Sequence, residues 1–194
     1  MSVACTTIIR GADLVASPWK NGGGITREVA VFPAGASMET FAWRVSIAEV
    51  AQAAPFSRFP GVDRTLVLLD GAGMRLHEGE RTHTLACPLD IAHFAGEASV
   101  DATLADGPTR DFNLMVRRDA AHGTLEIWRA PESHNLDADT ALLYCAQGSV
   151  RVRVNEGEAI ALNHGDMLRI DHACAHIDTE GSGALLAIAL KDLQ

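Results

Sequence analysis

The sequence predicts an all-β protein built of many short strands folded as a sandwich or barrel. Three observations carry that expectation: period-two alternation of apolar and polar residues, closely spaced turn signals, and a weak internal repeat. The alternation is cleanest in Val150-Arg151-Val152-Arg153-Val154, and it recurs over Phe41 to Ile47 and over Asp111 to Val116. Turns are expected at Asn21-Gly22-Gly23-Gly24, Pro33-Ala34-Gly35, Pro60-Gly61, Asp70-Gly71, Glu78-Gly79, Asp106-Gly107-Pro108, Glu156-Gly157 and His164-Gly165-Asp166. Only Ser46 to Ala54 and the residues just after Gly11 read as short helices. The repeat aligns Leu66 with Leu143, Gly71 with Gly148 and Leu85 with Leu162, each 77 positions apart. Duplication of one β unit is the preferred explanation, with the join near Arg118 to Gly123.

The 194 residues are 47% hydrophobic and 21% charged, an ordinary globular composition. A compact chain of this length hides roughly 70% of its unfolded surface, so it needs no cross-links. With 16 Lys+Arg against 25 Asp+Glu the formal charge is 16 − 25 = −9. No basic block is present, which argues against nucleic-acid and anionic-membrane partners. Residues 1–11 lack a basic start and an apolar core, and the run Ala184 to Leu190 is too short to span a bilayer. Cys5, Cys87, Cys145 and Cys174 show no C-x-x-C spacing, and reduced, buried thiols in the cytoplasm are expected.

Fourteen of the sixteen basic residues are arginine, but the 31 alanines beside them make composition alone a sufficient explanation. Position is more informative. On the strand around Phe41 to Ala48, Phe41, Trp43, Val45 and Ile47 share one face, leaving Arg44 and Ser46 with two alanines on the other. That second face lines either a hollow or bulk solvent, and the strand alone does not decide. The same parity groups Asp111, Asn113, Met115 and Arg117 opposite Phe112, Leu114 and Val116. Arg27 follows the glycine run and Arg64 precedes the apolar strand Thr65 to Leu69.

The glycines after Asn21 form either a backbone anion nest, to which Gly23 would contribute, or a plain turn. They lack the phosphate-loop ending and the dinucleotide spacing. His172, Cys174 and His176 are either metal ligands on one strand face or loop residues bracketed by Asp171 and Asp178. No G-x-S-x-G elbow is present, so serine catalysis is not expected. Trp19 beside the glycines is read as core or as a pocket wall.

Four blocks together resemble the HutD/Ves family: Trp19-Lys20-Asn21-Gly22-Gly23-Gly24-Ile25-Thr26-Arg27-Glu28, Trp43 to Ala48, Pro55 to Arg64, and Asp111 to Arg118. The resemblance implies a bicupin, two cupin-like β-barrel units in one chain, here expected as residues 1–118 and 119–194. It further implies an accessory or regulatory role in bacterial histidine utilisation. Many cupins hold a metal through an H-x-H pair, a glutamate and a later histidine. Counted back from Gly71, those first places carry Ser57, Phe59 and Arg64, so a fixed cation stands where a carboxylate would. In the second barrel His134 and His176 occupy two of the places while Leu136 and Ala141 replace the others.

The expectation is therefore a metal-free, cofactor-free first barrel binding a small carboxylate metabolite. Arg44 and Arg64, with Arg27, would clamp the anion; Asn113, Ser46 and Asn21 would bond a second polar end; Trp19 and Phe59 would form apolar wall. Asp63, Asp111 and Glu28 would orient the arginines from behind. Two alternatives are carried: a metal-independent hydrolase or isomerase with Asp111 or Glu28 as base, and a metal-dependent oxygenase using His134 and His176. Whether the protein is an enzyme stays open, as does a homodimeric state.

Overall fold

A computed structural model describes residues 4–19 and 22–193. It divides the chain into two compact units, one of residues 14–121 and one made of residues 4–13 together with 122–193. The first strand, β1 (Cys5–Ile9), pairs antiparallel with a strand near the C-terminus, Cys5 opposite Asp171. The N-terminal strand thus belongs to the second unit, which corrects the expected span of 1–118. Its five residues read only as β-prone, and the partner that claims them lies some 160 positions away, beyond the reach of local pattern. Residues Gly11–Asp13 form a single 3-10 turn.

The unit of residues 14–121 carries ten strands: β2 (Ala16–Pro18), β3 (Gly24–Phe32), β4 (Trp43–Val50), β5 (Ala54–Pro55), β6 (Val62–Asp70), β7 (Met74–Glu78), β8 (Arg81–Leu85), β9 (Ile91–Ala95), β10 (Val100–Leu104) and β11 (Thr109–Arg117). They form a six-stranded sheet in the order β2-β3-β4-β11-β6-β9 and a four-stranded sheet in the order β5-β10-β7-β8. An apolar cluster joins the two sheets: Leu66 and Leu68 from β6 and Phe94 from β9 on one side meet Met74, Leu76, Leu85 and Val100 on the other. Burying that hydrocarbon is the main favourable term. The stretch expected as a helix, Ser46 to Ala54, is strand to Val50 and then loop leading into β5. It is paired on both sides, by β3 and β11, and those two ladders outweigh any local helical preference.

The second unit continues with β12 (Ala121–Ala130), β13 (Ser133–Leu136), β14 (Thr140–Val154), β15 (Ile160–Asn163), β16 (Met167–Asp171) and β17 (Ala175–Asp192). Its sheet runs β1-β16-β14-β17-β12, with β13 on β17 and β15 on β14. Its interior is mainly hydrocarbon, from Trp128 and Leu136 through Leu143, Val152, Leu168 and Ile177 to Leu185, with Thr140, Asp166 and Thr179 as buried polar residues.

The 77-residue offset has a structural basis. In β7-β8 Met74 pairs with Leu85, and in β14-β15 Val150 pairs with Leu162, so both copies close an equivalent hairpin after a glycine of positive φ, Gly71 (109°) or Gly148 (67°). The thiols depart from expectation: all are free, but only Cys145 is buried, while Cys5, Cys87 and Cys174 are exposed. Cys5 sits on an outer strand and Cys174 in a loop, where no sheet covers them.

Candidate functional site

Three neighbouring strands, β4, β11 and β6, build the floor of a cavity in the unit of residues 14–121. Strict pairing sets their inward residues in rows. Arg44, Met115 and Arg64 form the first; Ser46, Asn113 and Leu66 the second; Ala48, Asp111 and Leu68 the third. Side chains repeat every second residue, so successive rows lie about 7 Å apart. The cavity encloses about 670 Å³, within the range that holds small metabolites. The inward alternation of Arg44, Ser46 and Ala48 therefore lines a hollow, and Trp43, Val45 and Ile47 are buried on the opposite face.

Arg64 dominates the electrostatics. It is 9% exposed, and among the described residues no carboxylate forms an ion pair with it. Its guanidinium donates to the Asn113 side-chain oxygen at 3.0 Å and to the Ser57 carbonyl at 3.4 Å. Three rings surround it, with Cζ 4.9 Å from the Phe94 centroid, 5.1 Å from Phe56 and 5.7 Å from Phe59. Those faces offset part of the cost of removing the cation from water. Burial, with the nearby Arg44 charge, still lowers its pKa to about 10, so it stays protonated at neutral pH. The segment carrying Phe56 and Phe59 packs over it because Gly96 is bare: a Cβ there would lie 2.4 Å from the Phe59 carbonyl oxygen.

Arg44 is held differently. Its Nε donates to Glu28 at 2.7 Å and an Nη to the Ser46 hydroxyl at 3.2 Å. Asp111 is fully buried, and neither of its oxygens makes a well-formed hydrogen bond, although the Thr109 hydroxyl two residues before it lies close enough to act on it. Burial pushes its carboxyl up to about 7, with the Thr109 hydroxyl opposing the shift.

Of the residues singled out in the sequence, Trp19, Arg44, Ser46, Phe59, Arg64, Asp111 and Asn113 all line this cavity. Asn21 lies outside the described residues. Arg27 does not belong: it pairs with Ile47 on the opposite face, whereas Thr26 and Glu28 pair with the inward Ala48 and Ser46, and its guanidinium is taken by Glu49. Gly23 does not line the cavity either; its carbonyl accepts the Ala51 N–H and closes a turn against the end of β4. The glycine run turns the chain between β2 and β3. It seats Trp19, whose backbone bonds Gly24 and whose indole N–H donates to Thr26 at 2.7 Å. A Cβ on Gly24 would meet the Glu49 carbonyl oxygen at 2.3 Å and the Trp19 ring at 3.3 Å.

Of the three acids expected behind the arginines, only Glu28 is so placed; Asp63 pairs with Arg118 at 2.7 Å, and Asp111 faces the cavity alone. Phe56 and Phe94 around Arg64 were not foreseen. The spacing Phe56-x-x-Phe59 before Arg64 was the available signal for the first, but Phe94 arrives through the β6-β9 pairing.

The cupin metal places do not fit a metal here. Ser57, Phe59 and Arg64 all line the cavity, and a hydroxyl, a benzyl and a cation make no divalent-ion site. His134 and His176 cannot converge: His134 pairs with Ile177, and His176 with Asn135, so adjacent parity sends them to opposite faces. His134 stacks on Trp128 at 3.8 Å, and His176 bonds Asn135 and Asp178. His172 and Cys174 lie in the loop before β17. Among the described residues no group of three or more His, Cys, Asp or Glu is placed to hold a metal, and no helix is long and apolar enough to cross a membrane.

Comparison with known proteins agrees with this architecture. The HutD family model matches residues 11–187. An uncharacterized 21.2 kDa protein in the hutC 3' region of Pseudomonas putida is 32% identical over 183 residues, covering 94% of this chain and 96% of that one. Protein Ves of Citrobacter koseri is 42% identical over 112 residues, 56% of each chain. The structure of HutD from Pseudomonas fluorescens SBW25, in a formate condition, superposes with a TM-score of 0.87 at 34% identity, over 98% of this chain and 100% of that one. A Cupin 2 conserved barrel domain protein from Leptotrichia buccalis shares the fold at 12% identity and a TM-score of 0.64, covering 95% and 96%. With most of its length matched by one family model and its fold shared with cupin barrels, this chain belongs to the HutD family.

Proposed function

We propose that the protein binds a small carboxylate metabolite in the cavity of residues 14–121 and serves as an accessory or regulatory component of histidine utilisation. The observation that carries this reading is Arg64, a buried cation that faces the cavity with no ion-pair partner among the described residues. A desolvated charge is costly unless something compensates it. A carboxylate supplies the missing charge and accepts two parallel N–H bonds from one guanidinium. Arg44, only partly engaged by Glu28, adds a second donor, and Ser46 and Asn113 stand one row further in. Charge-assisted bonds contribute about 1.5–3 kcal/mol each, so two of them plus burial of the ligand's hydrocarbon give roughly micromolar affinity.

Family membership directs the choice of candidates to intermediates of histidine breakdown: urocanate, formiminoglutamate and formylglutamate. The relevant test is thermal unfolding with each compound, followed by analysis of the solution for products. Stabilisation without turnover is the expected result. Failure of all three, together with formate, to stabilise the protein at millimolar concentration would overturn the reading. Turnover would favour the metal-independent hydrolase or isomerase, for which Asp111, buried in the cavity and titrating near neutrality, is the available acid or base.

A further inference from the structure

We propose that the cavity reads both ends of its ligand, and that Asp111 selects small carboxylates whose far end is a planar nitrogen group donating an N–H, such as an imidazole or an amidine. The inference rests on the carboxylate reading above and adds the identity of the opposite end.

The geometry is polar at two separated places. Arg64 reaches the Asn113 side chain, and Asp111 stands one row further along the same strand, about 7 Å away. A carboxylate joined by a short spacer to a ring or amidine spans that interval. Among the described residues lining the cavity, Asp111 carries the one carboxyl. Its neighbours across the sheet are Ala48 on β4 and Leu68 on β6, neither of which can donate a hydrogen bond. The remaining acids nearby are occupied: Glu28 holds Arg44, and Glu49 holds Arg27 on the other face. The β11-β6 ladder slips register between Arg110 and Asp111. Such irregularities characteristically re-aim a side chain beside a site.

A buried carboxyl that the Thr109 hydroxyl approaches without a well-formed bond keeps acceptor capacity for a donor on the ligand. A basic N–H group gives it both a hydrogen bond and the opposite charge, in surroundings of low dielectric where that pairing is strong. Once Asp111 is ionised, a second carboxylate at the same place meets repulsion instead, and a hydrocarbon ring leaves the oxygens bare.

The test is calorimetric titration of the whole protein at neutral pH with three carboxylates of similar reach: 3-(imidazol-4-yl)propionate, 3-phenylpropionate and glutarate. The wild type is expected to bind the imidazole compound about tenfold or more tighter than the other two. Asp111→Asn, whose amide lacks the charge, is expected to remove most of that preference by weakening the imidazole compound about tenfold. Equal affinities in the wild type, or a preference unchanged in Asp111→Asn, would overturn the selection and leave the carboxylate reading standing. No binding by any of the three would overturn the carboxylate reading itself. Should Asp111→Asn fail to fold, NMR titration of the bound imidazole in the wild type decides. A ring pKa raised on binding supports the pairing, and an unshifted one contradicts it.

Discussion

The two units repeat one strand pattern and fill it in opposite ways. Arg64 at the start of β6 corresponds, 77 positions on, to Ala141 in β14; Ser57 corresponds to His134 and Phe59 to Leu136. The pairing extends the correspondence to the neighbouring strand. Asn113 lies opposite Leu66 as Ala187 lies opposite Leu143, and Asp111 lies opposite Leu68 as Leu185 lies opposite Cys145. Arg64, Asp111 and Asn113 in the hollow unit thus have hydrocarbon counterparts in the other, where Ala141, Leu185 and Ala187 are all core residues. The backbone pattern fixes where the inward positions are; the side chains alone decide whether they make a core or a receptor.

Exchanging residues between the units tests that contrast. The largest effect is expected from Leu185→Asp, which places a carboxylate in the apolar cluster that Leu185 shares with Leu143, Val152 and Ile177. Loss of several kcal/mol, seen as failure to fold or a collapse of the denaturant midpoint, is the expected outcome. In the hollow unit the native Asp111 is tolerated, but at a pH-dependent cost. Its folded pKa of about 7 lies above the ordinary carboxylate value of 3.8, so the folded state holds the proton more tightly than the unfolded chain. Stability is therefore greatest below about pH 4 as far as this group is concerned, falls as pH rises towards 7, and is flat above; the shift corresponds to about 4 kcal/mol. The residues directly opposite Asp111, Ala48 on β4 and Leu68 on β6, carry no charge to offset this, and Arg44 and Arg64 stand two rows away on the same face. Urea unfolding should show Asp111→Asn gaining over wild type, and gaining more at pH 8 than at pH 5. A pH-independent difference would break the assignment.

Arg64→Leu makes the hollow unit more like the filled one. Replacing a buried, unpaired cation with hydrocarbon is expected to stabilise the fold by about 1–3 kcal/mol while removing carboxylate affinity. Stability and binding moving in opposite directions would mark the residue as functional. The smallest effect belongs to the second unit's histidines: His134→Ala and His176→Ala should leave carboxylate binding unchanged and alter stability by at most about 1 kcal/mol, measured by melting and titration.

Much of this was legible because strand parity is local. The faces of Arg44 with Ser46 and of Asp111 with Asn113 follow from alternation once the strands are recognised. Arg27 was misread because its face depends on register with β4, which only the pairing of Thr26 with Ala48 settles. Ser46 to Ala54 looked helical because its alanines and glutamate favour helix locally, whereas two flanking strands fix it extended. The Phe94 ring beside Arg64 and the transfer of β1 to the second unit are long-range events, invisible to any window of neighbouring residues.

The central claim is that Arg64 makes the hollow unit a carboxylate receptor, and calorimetric titration of urocanate into wild type and Arg64→Leu tests it most directly. Roughly micromolar binding by the wild type and a loss of about a hundredfold in a variant that remains folded is the predicted result. Equal affinity in the two proteins would contradict it.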